Sequence, residues 1–593
     1  MVGAFMPELQ ITGRYVTGND AFDVGVNGLV CVETSEGTLI ATLTGVGGGV
    51  ATYLMNSSGV ITAQDSLLFD ANSSWALGAW IDVLNTDQGA RLMVTGPVGG
   101  TLLDVGFDAF GTLGSFTSTT LATSGPHQIA VQTGSGYVIS AVSGKDGFDI
   151  YSQATNGPIS LVSTVTDSTT SFAQDIGVMS SMTLGGSVEI VMVGSQSERG
   201  LSSYVMSNGT ATLASSLEYY GGVPTAMASA VKNGGHYTVL ASAAGSGQGG
   251  TLTVVRTQAD GSMVMTDQVM DTLDTRFGRA QAVDTLEING HTFVVAGGAD
   301  SGISLFLLMP DGTLHYMQSL ESTIATSFAS ITDITLSAQA GMLYGLISTA
   351  GGKGFIQVEF DISAFSTVGA VIAGDGSLVG GAQHDVLEGD AQNNAISGGL
   401  GDDIIRDGAG SDALSGGDGS DVFVLAFDGE LDTITDFNPL EDKLDLSHWS
   451  FLYDASSLTI EVIQGVFQVT WRDERLDLLP ANGVVLTEDD IRDAVVLGPN
   501  RTIIPDNIIF GEVGTAGDDI IYGTPDVDNI DGGGGDDKIY GDDGDDTITG
   551  GTGDDIIYGD SGGGAPSAGL DYGHDAGIDA FVFQDEDASW NVM

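Results

Sequence analysis

A nine-residue repeat between residues 514 and 558 constrains this chain more than any other feature. Read in nines, the stretch is GTAGDDIIY, GTPDVDNID, GGGGDDKIY, GDDGDDTIT and GGTGDDIIY. Aspartate occupies the sixth place of every unit, at Asp519, Asp528, Asp537, Asp546 and Asp555, and isoleucine occupies the eighth, at Ile521, Ile530, Ile539, Ile548 and Ile557. Five units in phase indicate a structural repeat and not an accident of composition.

The chemistry of the nine places predicts a parallel β-roll that binds calcium. Glycine at the early places allows tight turns with positive φ, and one inward apolar residue per unit suits a short strand. Stacked units place the isoleucines in an internal ladder and the aspartates in a row along the turns. Such a row repels itself unless cations lie between the turns, and an oxygen-only ligand set favours calcium. A solvated acidic loop, the alternative, would not keep Asp and Ile in register.

A second block of the same period begins at Gly380. Its units are GGAQHDVLE, GDAQNNAIS, GGLGDDIIR, DGAGSDALS and GGDGSDVFV. The block departs from the pattern at Gln383 and Gln392, where glycine is expected, and at Asn394, where aspartate is expected. The first two rungs of this block are therefore the weaker candidates for calcium.

The candidate metal ligands are the sixth-place aspartates and the glycines of the turns. In the first block these are Asp385, Asp403, Asp412, Asp421, Gly399, Gly401, Gly408, Gly410, Gly417 and Gly419. In the second block they are Asp519, Asp528, Asp537, Asp546, Asp555, Gly517, Gly533, Gly535, Asp542, Gly544, Gly551 and Gly553. Several calcium ions are expected, and no organic cofactor or catalytic residue is predicted.

Both blocks resemble the repeats-in-toxin (hemolysin-type) calcium-binding nonapeptides, G-G-x-G-x-D-x-apolar-x, of secreted bacterial proteins. The segment DTITDFNPLEDKLDLS, residues 432–447, resembles the stretch that follows the roll in serralysin-type proteases. None of the seven histidines is followed by Glu, so the zinc motif of those proteases is absent from this sequence. The resemblance implies export by type I secretion machinery, with a secreted or cell-surface location.

Charge and composition exclude other classes. Lys and Arg number 16 against 78 acidic residues, for a net charge of −62. That balance argues against a nucleic-acid partner, whose phosphates require a basic surface. The single cysteine, Cys31, excludes an internal disulfide framework and is expected to lie buried in a strand. No apolar run approaches the ~20 residues of a membrane span, and the first residues lack the features of a secretory leader.

Residues 1–370 carry a second, longer repeat. Copies that read as strand, Gly loop, strand, Asp/Asn-Gly turn and strand begin near Leu39, Ala79, Tyr137, Val188, His236, His291 and Met342. Short strands at this spacing predict a β-propeller of seven blades. The pattern resembles lactonase-like propellers, with Gly222 and Pro224 at a G-x-P turn. A sandwich array or a β-solenoid is the alternative.

Two features predict how the propeller closes and where it ends. The last copy supplies too few strands for a blade, and a spare strand precedes the first copy at residues 9–18, so this N-terminal strand is expected to complete the seventh blade. The predicted organisation is all-β: a propeller over 1–370, a first β-roll over 371–425, a capping segment over 426–502 and a second β-roll over 503–593. Thr487 and Asp490 predict a capped helix near the end of the capping segment.

Three functions stay open from the sequence. The first is a secreted calcium-binding protein whose propeller contacts a glycan, a cell surface or another copy of the chain. The second is an extracellular hydrolase or lactonase that uses the propeller mouth. The third is a structural component of a surface layer or matrix. The charged residues Glu198, Arg199, Asp274, Arg276 and Arg279 fall in predicted blade loops, although charged loop residues are usually solvated. The missing catalytic motif favours the first or third function, and we expect the propeller to fold without calcium.

Overall fold

The computed structural model describes most of the propeller, the first roll and the capping segment, and short strands of the second roll. The described residues are 8–45, 47–70, 75–86, 89–97, 100–121, 127–142, 144–153, 159–184, 188–218, 222–232, 235–243, 249–322, 330–365, 376–449, 452–472, 474–501, 507–510, 519–522, 529–533, 538–540, 547–550, 556–558 and 580–582. The chain divides into two compact units, residues 1–502 and 503–593.

The first unit begins with a seven-bladed β-propeller, and each blade is an antiparallel meander. The chain starts with β1 (Gln10–Tyr15) and the short helix α1 (Asp20–Asp23). Blade one comprises β2 (Val26–Thr34), β3 (Gly37–Thr44), β4 (Gly49–Met55) and β5 (Ile61–Leu68). Blade two comprises β6 (Trp75–Thr86), β7 (Gly89–Pro97), β8 (Thr101–Gly106) and β9 (Thr117–Thr120). Blade three comprises β10 (His127–Gln132), β11 (Tyr137–Val142), β12 (Phe148–Gln153) and β13 (Ile159–Val165).

The remaining blades repeat the same order. Blade four comprises β14 (Ile176–Leu184), β15 (Val188–Ser195), β16 (Gly200–Ser207) and β17 (Thr210–Glu218). Blade five comprises β18 (Val223–Lys232), β19 (Gly235–Ala243), β20 (Gly250–Thr257) and β21 (Met263–Met270). Blade six comprises β22 (Ala282–Ile288), β23 (His291–Gly297), β24 (Gly302–Leu308) and β25 (Leu314–Glu321). Blade seven contains β26 (Ile331–Gln339), β27 (Met342–Thr349) and β28 (Phe355–Asp361).

The N-terminal strand closes the ring, as the sequence predicts. β1 pairs antiparallel with β28, with Gln10 opposite Glu359 and Tyr15 opposite Phe355, so it is the fourth strand of blade seven. The first strands of successive blades contact one another all the way round, and β26 lies beside β2. The second strand of a blade, such as β23, is buried along its whole length and packs against the neighbouring blades.

The first β-roll winds through two parallel sheets. Its strands are β29 (Ser377–Val379), β30 (Val386–Glu388), β31 (Ala395–Leu400), β32 (Ile404–Arg406), β33 (Ala413–Asp418), β34 (Val422–Val424), β35 (Leu431–Phe437) and β36 (Lys443–Asp445). Odd-numbered strands form one sheet and even-numbered strands the other. The eighth-place residues pair in ladders, Leu387 with Ile405 and Phe423 in one sheet and Ile396 with Leu414 in the other. All five are buried between the sheets.

The capping segment continues both sheets of the roll. It contains a 3₁₀ turn (Ala455–Ser457), β37 (Thr459–Ile463), β38 (Val466–Trp471), β39 (Glu474–Pro480), α2 (Glu488–Ala494), β40 (Val495–Val496) and β41 (Asn500–Arg501). β39 pairs in parallel with β35, and β40 with β36. Thr487 and Asp490 form the predicted capping box of α2, and Trp449 and Ile491 close the core of the roll.

The second unit holds a roll of the same kind. Its strands are β42 (Asn507–Phe510), β43 (Asp519–Tyr522), β44 (Asn529–Asp531), β45 (Lys538–Tyr540), β46 (Thr547–Thr549), β47 (Ile556–Tyr558) and β48 (Ala580–Val582). Ile521 pairs with Ile539 in one parallel sheet, and Ile530 pairs with Ile548 in the other. Phe581 lies opposite Ile548 and adds a rung to that ladder. Neither helix in the described ranges has the length and apolar character needed to cross a membrane.

Candidate metal centre

Aspartates of the first roll form two hydrogen-bonded ladders, one along each row of turns. In the first row, Asp403 Oδ1 accepts from the main-chain NH of Asp385 at 2.8 Å, and Asp421 Oδ1 accepts from that of Asp403 at 2.9 Å. In the second row, Asp412 Oδ1 accepts from the NH of Asn394 at 2.6 Å. Each carboxylate therefore binds the equivalent residue one turn of 18 residues earlier, which holds successive turns in register.

The second carboxylate oxygen divides these rungs into two kinds. Oδ2 of Asp403, Asp412 and Asp421 is buried and has no hydrogen-bond partner. At the two rungs that depart from the repeat pattern, the main chain satisfies the side chain instead. Asp385 Oδ2 accepts from the NH of Gly381 at 2.5 Å, and Asn394 Oδ1 accepts from the NH of Asp390 at 2.9 Å. Because buried carboxylate oxygens are rarely left without a partner, three rungs present the oxygens that a cation would take.

The carboxyls of Asp403, Asp412 and Asp421 are buried without a counter-charge, and their pKa values are raised as a result. Burial, together with neighbouring aspartates, raises the pKa of Asp403 to about 8. The same two causes raise the pKa values of Asp412 and Asp421 to about 6. At neutral pH without a counter-charge, the carboxyl of Asp403 is therefore mostly protonated, whereas those of Asp412 and Asp421 are mostly ionised but destabilised by burial. A divalent cation between the turns would supply the counter-charge that all three lack.

The turn glycines allow successive turns of the roll to stack closely. Gly399, Gly401, Gly408, Gly410, Gly417 and Gly419 all have positive φ, as the repeat predicts. A Cβ on Gly417 would collide with the carbonyl oxygen of Gly399 in the preceding turn, and one on Gly419 with that of Gly401. Glycine is therefore required both by backbone conformation and by the close stacking of the turns.

This donor set fits calcium. Among the described residues, no group of three or more His, Cys, Asp or Glu side chains lies close enough together to bind a metal. An ion in this roll would thus be held by the Asp403, Asp412 or Asp421 carboxylate together with main-chain carbonyl oxygens of the glycine turns. Hard oxygen ligands of these two kinds are those that calcium prefers.

Two aspartates of the ladders escaped the sequence analysis. Asp432 Oδ1 accepts from the NH of Asp412 at 2.9 Å, and Asp442 Oδ1 accepts from that of Asp421 at 3.2 Å. Both lie past the last nonapeptide, 20 and 21 residues beyond their partners, and this slip from the 18-residue period hides them. The DTITDF and PLEDKLD sequences, already notable for their serralysin-like character, were the available signal.

Only two of the predicted ligands of the second block, Asp519 and Gly533, lie among the described residues. Asp519 begins β43 and Gly533 follows β44. The other predicted ligands of this block lie outside the described residues: Asp528, Asp537, Asp546, Asp555, Gly517, Gly535, Asp542, Gly544, Gly551 and Gly553. Their role as calcium ligands stays a prediction.

Other residues noted in the sequence analysis take part in packing, ion pairs or hydrogen bonds. Cys31 lies partly buried in β2, and burial raises the pKa of its thiol to about 12. His291 is buried at the start of β23, and its ring packs edge-on against Phe365. Arg276 forms an ion pair with Glu321, and Glu198 accepts a hydrogen bond from the NH of Gln174 at 3.0 Å.

Comparison with known proteins identifies the two blocks. Residues 372–405, 397–426, 513–539 and 531–564 match the RTX calcium-binding nonapeptide repeat in four copies. No curated protein matches this chain. The chain thus carries RTX calcium-binding repeats in its C-terminal part and joins them to a seven-bladed propeller.

Solved structures similar to the chain include three of low sequence identity. A protein from Lactobacillus plantarum is 15% identical, with a TM-score of 0.39, over 51% of this chain and 86% of that one. A putative 6-phosphogluconolactonase from Bacteroides uniformis is 11% identical, with a TM-score of 0.41, over 54% and 89%. A catalytically inactive virginiamycin B lyase from Staphylococcus aureus is 10% identical, with a TM-score of 0.39, over 60% and 99%.

Proposed function

We propose that the protein is exported and that its rolls fold on calcium outside the cell, where the propeller presents a binding or adhesion surface. The observation that carries the calcium part is the set of unpartnered, buried oxygens on Asp403, Asp412 and Asp421. Calcium modules that work outside cells typically bind at about 0.1–1 mM. Inside a cell, at far lower calcium, the excess of 48 acidic over 7 basic residues in 371–593 opposes collapse of the rolls.

The topology of the blades supports a free binding surface. In an antiparallel meander, the turns after the first and third strands lie at one end of the blade, and the other connections lie at the opposite end. The first roll contacts a turn of the first kind in blade six, where Arg406 meets Asp311 and Thr313. Arg199, Asp274 and Arg279 belong to the other kind of loop, which therefore faces away from the roll.

The propeller surface would take a glycan, a cell-surface component or another copy of the chain. The test applies the full protein at millimolar calcium to an array of bacterial and host glycans and to intact cells. We expect retention that is lost with Arg199→Glu but kept with Arg475→Glu, an exposed arginine on the cap. Absence of retention on every surface would remove the platform role and leave calcium binding intact.

Export is tested separately from binding. The chain is produced in a bacterium with and without a type I secretion system, together with a variant that lacks residues 503–593. We expect the full chain in the medium only with the secretion system and the shortened chain inside the cells. Full chain that stays inside, or shortened chain that is exported equally well, would contradict this part of the proposal.

The two alternative functions have their own discriminating measurements. A screen for hydrolysis of lactones and glycosides, with and without calcium, tests an enzyme in the propeller mouth. Two of the loop residues that could serve there, Arg276 and Glu198, are already engaged in structural contacts, which favours binding over catalysis. Pelleting or ordered arrays at millimolar calcium would instead indicate a surface-layer component.

A further inference from the structure

One sheet of the first roll has two apolar faces, and the second of them packs on the propeller. In β30, β32 and β34, Leu387, Ile405 and Phe423 point into the roll. The alternating residues Val386, Ile404 and Val424 belong to a different core, which also contains residues of blades six and seven, among them Phe293, Leu307, Phe360 and Phe365. The roll and the propeller therefore share a hydrophobic core within the first unit.

Charged groups surround this shared core and are themselves largely buried. Arg406 of β32 lies 2.7 Å from Asp311 and donates to Thr313 Oγ1 at 2.5 Å, both in a turn of blade six. His315 Nδ1 of blade six lies 3.2 Å from Asp445 Oδ2 of β36. Arg501 of β41 pairs with Asp267 of blade five, and their side chains are 9% and 5% exposed.

The docking groups and the candidate calcium ligands are carried by the same short segments. Asp403 immediately precedes β32, which bears Ile404 and Arg406, and Asp421 immediately precedes β34, which bears Val424. We call the outer side of this sheet, with Val386, Ile404, Val424 and Arg406, the docking face. It exists only when β30, β32, β34 and β36 are stacked in register. Stacking of the turns by calcium and assembly of the docking face are therefore parts of one ordering event.

We propose that calcium binding by the first roll and the stability of blades five to seven are coupled through this interface. Calcium orders the roll, and the ordered roll covers the apolar edge and the charged groups of these blades. By thermodynamic reciprocity, the propeller raises the calcium affinity of the roll by the same factor. The proposal rests on calcium binding by the first roll and is independent of export and of the platform role.

The physical reason is the cost of leaving the interface half made. When the roll is disordered, Asp311 loses its partner Arg406, and the apolar face lined by Phe293 and Phe360 meets water. When the roll is ordered without the propeller, Arg406 loses its acceptors. Breaking one partner of a buried ion pair is strongly unfavourable, so the two parts favour each other's folded state. The sequence analysis expects the propeller to fold without calcium. A measured coupling would show that this expectation is wrong.

The first test follows hydrogen exchange of the full protein during a calcium titration. We expect protection of residues 395–424 in the roll to rise with calcium, and that of β24 (Gly302–Leu308) and β28 (Phe355–Asp361) to rise with the same midpoint. β15 (Val188–Ser195) of blade four, which contributes nothing to the shared core, should not respond. A roll that responds while β24 and β28 do not would overturn the coupling alone. A roll that does not respond at all would overturn calcium binding, and the coupling with it.

The second test changes the propeller and reads the roll. Asp311→Asn removes the charge that faces Arg406 but leaves every residue of the roll unchanged. Its matched control is Asp260→Asn, because Asp260 makes the same turn contacts to Ser262 that Asp311 makes to Thr313 but is exposed. We expect Asp311→Asn to raise the calcium midpoint of residues 395–424 about fivefold or more, and Asp260→Asn to leave it unchanged. Equal midpoints for wild type and Asp311→Asn would contradict the proposal.

Discussion

Asp333, on the first strand of blade seven, accepts a hydrogen bond at Oδ2 from the main-chain NH of Leu29 in blade one, at 2.7 Å. Asp284 of blade six makes the same contact to the NH of Leu336 in blade seven, at 2.8 Å. These carboxylates tie the inner strands of successive blades together, and the Asp333 contact does so where blade seven meets blade one. Closure therefore depends on side chains near the axis as well as on the N-terminal strand at the rim.

The stability of this closure should depend on pH. Burial, and then the charge of Asp284, raises the pKa of Asp333 from 3.8 to about 7. Because the folded-state pKa lies above the unfolded value, protonation stabilises the fold, and this contribution is lost as pH rises from about 4 through 7. Asp333→Asn has no charge to lose and keeps one acceptor. The melting temperature of the variant minus that of wild type should be larger at pH 8 than at pH 5, with both proteins measured at saturating calcium.

The control for this pH effect is an aspartate on the surface. Asp260 is exposed, so Asp260→Asn should shift the melting temperature equally at both pH values. A difference between Asp333→Asn and wild type that is the same at pH 5 and pH 8 would show that Asp333 is charged throughout this range.

Removal of residues 1–20 should open the propeller. The deletion removes β1 and leaves β28 as an exposed edge, which favours aggregation. We expect a lower melting temperature and a larger sedimenting species by ultracentrifugation. Removal of residues 1–7 alone keeps β1 and serves as the control. An unchanged melting temperature after the longer deletion would mean that β1 contributes little to closure.

Replacement of a single ladder aspartate should weaken calcium binding by the first roll. Asp421→Asn keeps the acceptor for the NH of Asp403 but removes the charge beside the unpartnered oxygen. Asp418→Asn removes the same charge from an exposed side chain of the same turn. By calorimetric titration, Asp421→Asn should lose at least one calcium ion or bind it about tenfold or more weakly, a loss of about 1.4 kcal/mol, and Asp418→Asn should bind as wild type. Equal losses in the two variants would point to general charge and not to a site.

A pair of glycine substitutions separates backbone strain from turn stacking. Gly429 has φ +80° with open space around its Cα, whereas Gly417 has φ +102° with the Gly399 carbonyl oxygen against it. Gly429→Ala should cost about 1–2 kcal/mol from conformation alone. Gly417→Ala should cost clearly more and should also raise the calcium midpoint of roll folding, followed by circular dichroism. A similar cost for both would mean that the turns separate without difficulty.

The order of the elements could be predicted from the sequence because each part is a local repeat. The nonapeptide period determines which residues turn, which point inward and which present carboxylates, and the structure places Ile405, Phe423, Asp403 and Asp421 accordingly. The blade period similarly determined seven blades, and the shortage of strands in the last copy determined the role of β1. These features depend on residues near in sequence or equivalent by period.

The repeat pattern already marked the first two rungs of the first block as the weaker ones, but only the tertiary structure decided how their oxygens are satisfied and which face of the roll meets the propeller. Asp385 and Asp403 occupy the same place of the repeat, yet only the Asp403 oxygen lacks a partner, because Gly381 turns its NH toward Asp385. Arg406 and Asp311 are separated by the last strand of blade six, three strands of blade seven and the first strands of the roll, and no period relates them. Packing of two folded surfaces brought them together, and a repeat pattern carries information about its own register but none about the surface that its outer face will cover.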